Sequence, residues 1–387
     1  MHTENIKKIK VMQNSLMLLR IPFLFPTTSE MNDPKTNIYI KFLLVNLSSM
    51  YYPIGAAMHM IFNARKGIVD TIDKDIGAII SYFGCTYFLF RYLLNLKKVI
   101  RLYKEYSDFE SFGQPKNFTK RNHYYNKLSK IYISYHTCVI TTMISATFLY
   151  IPECEKENME KGLTEVCGLP APTWLPFEFD YFPVKQLVYL YQGYSIFSVY
   201  QSAGFISFCM MEALEHLVLR FEHVSDTFVE VFCESNRIIR RQKFLKAVRY
   251  HQAVIGMGTL LNECFSPCMM VHISLTGPFL GVCGYTFLTR IPLDSSALLV
   301  GWMISTYIVC LGGQRLMEAS MSVGTIMERI NWYDVETSLQ KDLILVMSRS
   351  RKPVHLRAGP FGPITYATIV MILKTSYSYV TLLKQTM

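Results

Sequence analysis

Residues 328–387 read ERINWYDVETSLQKDLILVMSRSRKPVHLRAGPFGPITYATIVMILKTSYSYVTLLKQTM, and this stretch decides the fold class. A turn around Trp332 leads into an amphipathic run, 335–348, and then into a basic hinge, 349–363. The last element is an apolar helix with a polar stripe at helical spacing. The stripe comprises Thr368, Met371, Thr375, Ser378, Leu382 and Gln385. Two interpretations remain open: the helix lines a water path, or it packs closely against other helices.

The composition indicates a polytopic membrane protein. Of 387 residues, 51% are hydrophobic and 18% are charged, whereas soluble domains carry about 25% charged residues. A net charge of +10 would suggest nucleic-acid binding in a soluble protein. Here the basic residues lie between apolar spans, where they set the orientation in the membrane. We therefore expect membrane lipid as a partner and no nucleic acid.

Seven segments are long and apolar enough to cross a bilayer, which requires about 20 residues. They are 38–62, 76–96, 131–151, 186–208, 266–289, 296–314 and 361–383. The predicted fold is therefore an all-α membrane protein with seven transmembrane helices. We expect the basic amphipathic segment 1–37, which has no signal-peptide cleavage site, to lie along the membrane surface.

Lys and Arg predict the orientation. The segments 1–37, 97–130, 213–265 and 315–360 carry 28 of them, and the segments 63–75, 152–185 and 290–295 carry 7. Because positively charged loops stay in the cytoplasm, the N-terminus should be cytoplasmic and the C-terminus extracellular. This orientation is the reverse of that of a G-protein-coupled receptor.

Three spans continue beyond the membrane as amphipathic helices. The fourth carries its apolar stripe to Val231, the fifth is preceded by the helical run 244–265, and the sixth extends to Trp332. The opposite face of the fourth carries charged residues, among them Glu215 and Arg220. Apolar faces outside lipid must be buried on each other or on another subunit, so an oligomer is expected.

The four resulting parts have different predicted roles. They are a cytoplasmic segment 1–37, six transmembrane helices with a ligand pocket at 38–314, cytoplasmic helices at 315–360, and a pore-lining helix at 361–387.

The external loop 152–185 is acidic, and we expect its carboxylates to form a solvated face rather than a ligand site. If the loop is outside the cell, a disulfide between Cys154 and Cys167 is allowed. The other cysteines lie mostly in apolar spans, where they act as small hydrophobic residues. Cys264 and Cys268 stand four apart but have no further ligand nearby, so no metal site and no cofactor is predicted.

The sequence has no GxSxG, HExxH, P-loop or GxGxxG motif, so no enzymatic activity is expected. Single histidines in apolar spans, His59, His136 and His272, are interpreted as hydrogen-bonded packing residues. The external halves of spans two to six are instead rich in aromatic and hydroxyl side chains. Such walls suit a small, mostly apolar ligand. The alternative for each such residue is ordinary packing between helices. The candidate pocket residues are Ile79, Tyr82, Phe83, Thr142, Ser145, Leu149, Tyr191, Ser195, Trp302 and Tyr307.

The C-terminal stretch resembles the signature of insect odorant receptors. The matching pieces are Asn331-Trp332-Tyr333-Asp334, Met347-Ser348-Arg349-Ser350 with Lys352-Pro353, Ala358-Gly359, and Ile372 to Tyr379 running on to Leu382-Leu383. The resemblance implies a subunit of an odorant-gated, non-selective cation channel that detects small volatile molecules. It also implies a heterotetramer with the odorant co-receptor, joined through a cytoplasmic anchor, in the plasma membrane of a sensory neuron.

The same resemblance implies that the pore lies along the last helix. Thr375, Ser378, Leu382, Gln385 and Thr386 are the predicted pore and gate residues. A ring of Leu side chains can block ions by dewetting. Thr386 departs from the apolar residue typical of the co-receptor at that position, which fits a subunit that contributes one wall of a shared gate.

Two other functions are considered. One is a gustatory-type receptor of the same superfamily, which would form a homomeric channel without the co-receptor. The other is a secondary transporter, a class that usually has inverted repeats and broken helices. The sequence has no such internal symmetry, and seven spans do not divide into two equal units.

Overall fold

The computed structural model describes residues 9–27, 36–68, 72–290 and 293–386. Within these ranges the chain forms twelve α-helices, which in order are α1 (Gln13–Leu19), α2 (Thr36–Ser49), α3 (Tyr51–Arg65), α4 (Ile72–Leu94), α5 (Leu96–Tyr106), α6 (Phe118–Ala146), α7 (Ile151–Lys161), α8 (Val184–Phe232), α9 (Arg237–Arg290), α10 (Leu293–Arg329), α11 (Thr337–Ser350) and α12 (Tyr366–Thr386). The described residues contain no strand, only an isolated bridge between Arg357 and Pro363. The predicted all-α fold is confirmed.

Five helical segments among the described residues are long and apolar enough to cross a membrane. They are Asp75–Leu94, Phe118–Glu160, Val184–Phe232, Arg237–Leu288 and Ser296–Arg329. These five coincide with predicted spans two to six.

The first and seventh predicted spans do not meet that criterion. The first is divided at Met50 into α2 and α3, next to Pro53, whose nitrogen cannot donate to the Ser49 carbonyl. The seventh, α12, has 21 residues but is crossed by hydroxyl and lysine side chains. That these two elements also cross the membrane remains a prediction.

Helix α8 is the centre of the bundle. Between Val199 and Phe221 every side chain except that of Ala203 is buried, and α8 contacts α4, α6, α9 and α10. The helix runs without interruption from Val184 to Phe232. The extensions predicted for the fifth and sixth spans are likewise continuous, because α9 begins at Arg237 and α10 reaches Arg329.

The described part of the N-terminal segment packs on the helix bundle, and its expected position along the membrane surface stays a prediction. Leu16, Leu19, Leu24 and Phe25 are buried in the main hydrophobic core, and α1 packs against α6 and α8. Ser15 on α1 donates a hydrogen bond to a carboxylate oxygen of Glu212, at 2.6 Å. One side of the apolar run is therefore covered by the protein's own helices, whereas Met17 and Ile21 are 66% and 69% exposed.

The charged face expected on the extension of α8 is also partly buried. Glu215 is 2% exposed; it accepts a hydrogen bond from the Tyr125 hydroxyl at 2.5 Å and pairs with Arg315 at 2.7 Å. Arg220 is 2% exposed and donates to the Tyr106 carbonyl at 2.7 Å. These side chains stay charged or polar inside the protein because partners on other elements satisfy them.

Helix α12 lies at the edge of the bundle, with α9 as its main partner and α10 as a lesser one. Close approach is possible because α9 presents small residues there. A Cβ added at Gly277 would lie 2.9 Å from Thr375 Cγ2, and one at Gly281 would overlap Tyr379. Gly277 and Gly281 form a GxxxG pair, a spacing that lets membrane helices touch along their backbones.

Candidate functional site

An inner cavity lies between α4, α6, α8, α9 and α10. Its volume is about 60 Å³, on a measure by which a single water needs about 10–15 Å³. The wall is mainly apolar and aromatic, with Phe88, Val139, Ile140, Tyr200, Leu275 and Trp302 among its members. Such a wall suits a small organic molecule held by shape and by a few polar contacts.

Two histidines supply polar groups to this wall, His136 on α6 and His272 on α9. His136 Nδ1 lies 3.2 Å from Gln201 Oε1, and His272 Nε2 lies 3.3 Å from Thr306 Oγ1. The His272 ring stacks on Trp302, with centroids 5.5 Å apart. Both histidines are hydrogen-bonded packing residues, as the sequence predicts, and both also face the cavity.

Gly204 is required where His136 meets α8. A Cβ at this position would lie 2.5 Å from His136 Cε1 and 2.6 Å from Nε2. The absence of a side chain lets the imidazole rest against the helix backbone and face the cavity. Gly204 lines the same cavity as His136.

A second, outer cavity of about 210 Å³ lies beneath the loop that follows α6. Its wall includes Glu153, Glu157 and Glu165 together with residues of α4 and α9. Leu298 lines both cavities. The outer cavity therefore adjoins the inner one, with Leu298 between them.

The loop above the outer cavity is held at two points. Cys154 and Cys167 form a disulfide with a Cα–Cα distance of 5.7 Å. His59 Nδ1 lies 3.0 Å from Asp75 Oδ2, and its Nε2 lies 3.8 Å from Glu165 Oε1. The contacts of His59 connect α3, α4 and the loop.

Of the ten predicted pocket residues, Trp302 lines the inner cavity, and the other nine line neither cavity. Tyr82 is buried and donates to Ser49 Oγ at 2.6 Å, and Ser195 is buried and donates to the Tyr191 carbonyl. Tyr191 is 38% exposed and donates to the Ser48 carbonyl. Ile79 and Thr142 are partly buried, whereas Phe83, Ser145, Leu149 and Tyr307 are exposed. Most of the predicted residues lie on helices that border the inner cavity, but on other faces of those helices. Their role in ligand binding stays a prediction.

The cavity residues that sequence reasoning missed are small or polar: Gly204, Ser207, Ser305 and the two histidines. A histidine in each of two apolar spans was the available signal. On its own this signal indicates packing, because nothing in the sequence shows that His136 and His272 share one cavity.

The predicted pore residues occupy different environments on α12. Ser378, Leu382 and Gln385 are exposed, with Leu382 at 53%. Thr375 is also exposed, but its methyl group lies beside Gly277 of α9. The side chain of Thr386 lies outside the described part of the chain. The hydroxyls of Thr375 and Ser378 donate to the carbonyls of Met371 and Lys374 in their own helix.

Within the described ranges, no group of three His, Cys, Asp or Glu side chains is placed so that it could hold a metal ion. The candidate site is thus a pair of adjacent cavities and one peripheral helix.

Several curated relatives are similar to this chain. Putative odorant receptor 85d of Drosophila melanogaster is 23% identical over 269 residues, which cover 67% of this chain and 64% of the relative. Odorant receptor 67c of Drosophila melanogaster is 23% identical, over 55% of this chain and 54% of the relative. Odorant receptor Or2 of Anopheles gambiae is 25% identical, over 52% of this chain and 57% of the relative. The chain thus matches somewhat more than half of the length of these relatives.

Solved structures share the fold. The insect olfactory receptor OR5 from Machilis hrabei, in complex with eugenol, superimposes with a TM-score of 0.75 over 97% of both chains at 11% identity. A second structure of the same receptor superimposes with a TM-score of 0.75 at 10% identity. At this identity the likeness concerns the fold alone.

A family model provides the broader match. The model described as 7tm Odorant receptor matches residues 74–377, which include α4 to α11 and half of α12. This range covers both cavities apart from Tyr52 and contains most of the C-terminal signature. The chain belongs to the insect 7tm odorant receptor family.

Proposed function

We propose that this chain is a subunit of an odorant-gated, non-selective cation channel. A small volatile molecule binds in the inner cavity, and binding favours an arrangement in which α12 moves outward. The channel is a heterotetramer with the odorant co-receptor, in the plasma membrane of a sensory neuron dendrite. The observation that carries the proposal is the position of α12, which packs along one side on α9 and leaves Ser378, Leu382 and Gln385 exposed.

The exposed side of α12 has a role in a channel. In an assembly whose central axis is lined by α12, Ser378 and Gln385 face water. Leu382 forms a constriction together with the equivalent residues of the other subunits. Leu rings of this kind close pores by dewetting. Thr386, one residue after Gln385, belongs to the same gate.

The proposed topology has seven crossings, with α2 and α3 together as the first and α12 as the last. The N-terminus is cytoplasmic and the C-terminus extracellular. The disulfide between Cys154 and Cys167 supports this orientation, because disulfides persist outside the cytoplasm. An epitope tag after Met387 should be stained on intact cells, whereas a tag before Met1 should be stained only after permeabilisation. The opposite pattern would refute the topology.

Whole-cell recording tests the function. Cells that express this chain with the co-receptor should give ligand-evoked cation currents, and cells that express either chain alone should not respond to the same ligands.

Leu382→Ala should raise the current without ligand, because a smaller side chain no longer seals the constriction. Large ligand currents from this chain alone, unchanged by Leu382→Ala, would instead indicate a homomeric, gustatory-type channel. Uptake of ligand without current would indicate a transporter.

A further inference from the structure

The polar groups around the inner cavity are mostly hydrogen-bond acceptors, and the hydrogen-bond partners of His272 show this first. Thr306 Oγ1 donates its single proton to the Trp302 carbonyl, at 3.0 Å. It can therefore only accept from His272 Nε2, which lies 3.3 Å away. In the neutral imidazole one ring nitrogen carries hydrogen and the other carries a lone pair. Nε2 is thus the protonated nitrogen, and Nδ1 is left as an acceptor.

The same reasoning applies to His136. Its Nδ1 lies 3.2 Å from Gln201 Oε1, and the Gln201 amide nitrogen donates to Thr137 Oγ1 at 3.1 Å. The amide oxygen can only accept, so Nδ1 carries the hydrogen. Nε2, beside Gly204 at the cavity wall, keeps its lone pair.

The other donors of the wall are already used. Trp302 Nε1 donates to Thr276 Oγ1 at 3.0 Å, and Ser207 Oγ donates to the Ala203 carbonyl at 3.0 Å. The Tyr200 hydroxyl lies 2.6 Å from Ser81 Oγ.

Ser81 determines the direction of that last bond. Its proton goes to the Gly77 carbonyl at 2.7 Å, so Tyr200 is the donor to Ser81. Ser305 shares one hydrogen bond with Tyr132, so one of these two hydroxyl protons is also committed. The wall thus has two ring nitrogens as candidate acceptors, at most one free hydroxyl as a donor, and the Cys85 thiol as a weak donor.

We propose that this cavity selects ligands that donate a hydrogen bond, namely small alcohols and phenols, over ketones, aldehydes and ethers of the same shape. The proposal rests on the proposed function, since it names the ligand class of that site. An alcohol can donate to His272 Nδ1 or His136 Nε2. A ketone of equal size places its oxygen lone pairs against these lone pairs and finds at most the Ser305 hydroxyl as a donor. The two ring nitrogens then stay unpaired, which is costly in a desolvated site.

Matched probes test the proposal by binding, without the need for a current. The pairs are cyclohexanol with cyclohexanone and 1-phenylethanol with acetophenone, titrated into the purified full-length chain. Each alcohol should bind at least about tenfold more tightly than its ketone. Equal or tighter binding of the ketones, or no binding of any of the four probes, would overturn the proposal.

Two variants test the role of the tautomer. His272→Phe keeps a ring against Trp302 but removes the acceptor, so the alcohol preference should fall several-fold. Thr306→Val removes the acceptor that holds the hydrogen on Nε2. The hydrogen can then move to Nδ1, and ketone binding should strengthen relative to alcohol binding. A loss of structure alone would weaken both probes together and leave their ratio unchanged.

Thr141→Val is the matched control, because Thr141 is exposed and donates within its own helix. The ratio of its alcohol affinity to its ketone affinity should equal that of the unchanged chain. If Thr306→Val and Thr141→Val give the same ratio, the tautomer argument is refuted. Alcohol preference without any current alongside the co-receptor would contradict the proposed channel function and leave this inference standing. Currents that ketones evoke more strongly than alcohols would support the channel function and refute this inference.

Discussion

At the scale of single residues, the junction between Gly204 and His136 determines the shape of the inner cavity. The imidazole occupies the space that a Cβ of residue 204 would need. Its other side is held by Gln201. A small change at Gly204 therefore acts directly on one of the two cavity histidines.

Gly204→Ala should destabilise the protein by about 1–2 kcal/mol. Overpacking costs about 1–3 kcal/mol, and the better helix propensity of alanine recovers up to about 1 kcal/mol. The measurement is the thermal unfolding midpoint in detergent. Gly193→Ala on the same helix is the control, since its Cβ would meet Ile144 Cγ2 at an ordinary 3.5 Å. Equal midpoints for the two variants would contradict the proposed clash.

Glu212 is the second residue where burial has a measurable consequence. It lies beyond the predicted fourth span, is fully buried, and one of its carboxylate oxygens has no hydrogen-bond partner. Burial raises the pKa of Glu212 from 4.5 to about 7, although the hydrogen bond from Ser15 acts in the opposite direction. Between these two pH values the folded protein holds a proton that the unfolded chain has lost.

Stability should therefore fall as the pH rises from about 4.5 to about 7. The side chain in Glu212→Gln is neutral throughout this pH range. The variant should therefore be more stable than the unchanged chain at neutral pH by about 3 kcal/mol, and its stability should depend less on pH in this window. Thermal unfolding at several pH values is the measurement. Glu318→Gln, which alters an exposed carboxylate, should keep the slope of the unchanged chain. A Glu212→Gln curve with that same slope would show that the buried carboxyl is not responsible.

At the scale of elements, α12 is positioned by the glycines of α9. Gly277 and Gly281 lie against Thr375 and Tyr379, and Gly284 faces Val380, whose Cγ2 would be 3.3 Å from an added Cβ. Leu382 and Ser378 are left exposed by this arrangement. The register of α12 on α9 thus decides which residues are available to a pore.

Gly281→Ala should push α12 away from α9, because the new methyl group would overlap Tyr379 and approach the Ser376 carbonyl to 3.2 Å. We expect a loss of about 1–3 kcal/mol of stability, measured as a lower unfolding midpoint in detergent. Gly256→Ala, in the same helix but with no atom within 4 Å of its added Cβ, should be neutral or stabilising. A Gly281→Ala midpoint at or above that of Gly256→Ala would show that the two helices are not in close contact.

At the scale of the whole molecule, the helices that we predict to be cytoplasmic leave apolar surface uncovered. On α11 the side chains of Leu339 and Leu343 are buried, whereas Ile344 and Leu345 are 54% and 70% exposed. One face of α11 is thus used within the chain, by packing on α10. The other face is available to a neighbouring subunit.

Combined Ile344→Asp and Leu345→Asp substitutions should abolish assembly with the co-receptor and leave the chain itself folded. Charged groups at a buried subunit contact are strongly unfavourable. The measurement is the mass of the co-purified complex in detergent. Ser348→Ala, an uncharged change on the same exposed face, should leave assembly intact, so that a loss in the double variant is due to the introduced charges. A full complex with the double variant would exclude this face of α11 from the interface.

From the sequence alone one can predict the all-α class, the five helices of spans two to six that are long and apolar enough to cross a membrane, and the long continuations of α8, α9 and α10 beyond these spans. Its C-terminal signature also identified the family. These properties depend on local composition and on a helical period, and both can be read along the chain.

Only the tertiary structure decided which face of each helix is turned inward. It brought His136, Gly204 and His272 to one cavity, covered α1 with protein, buried Glu215 and Arg220, and placed α12 on the glycines of α9. The physical reason is that lipid and protein interior are both apolar. Hydrophobicity therefore cannot distinguish a side chain that faces lipid from one that faces another helix. Packing between helices distant in sequence makes that choice.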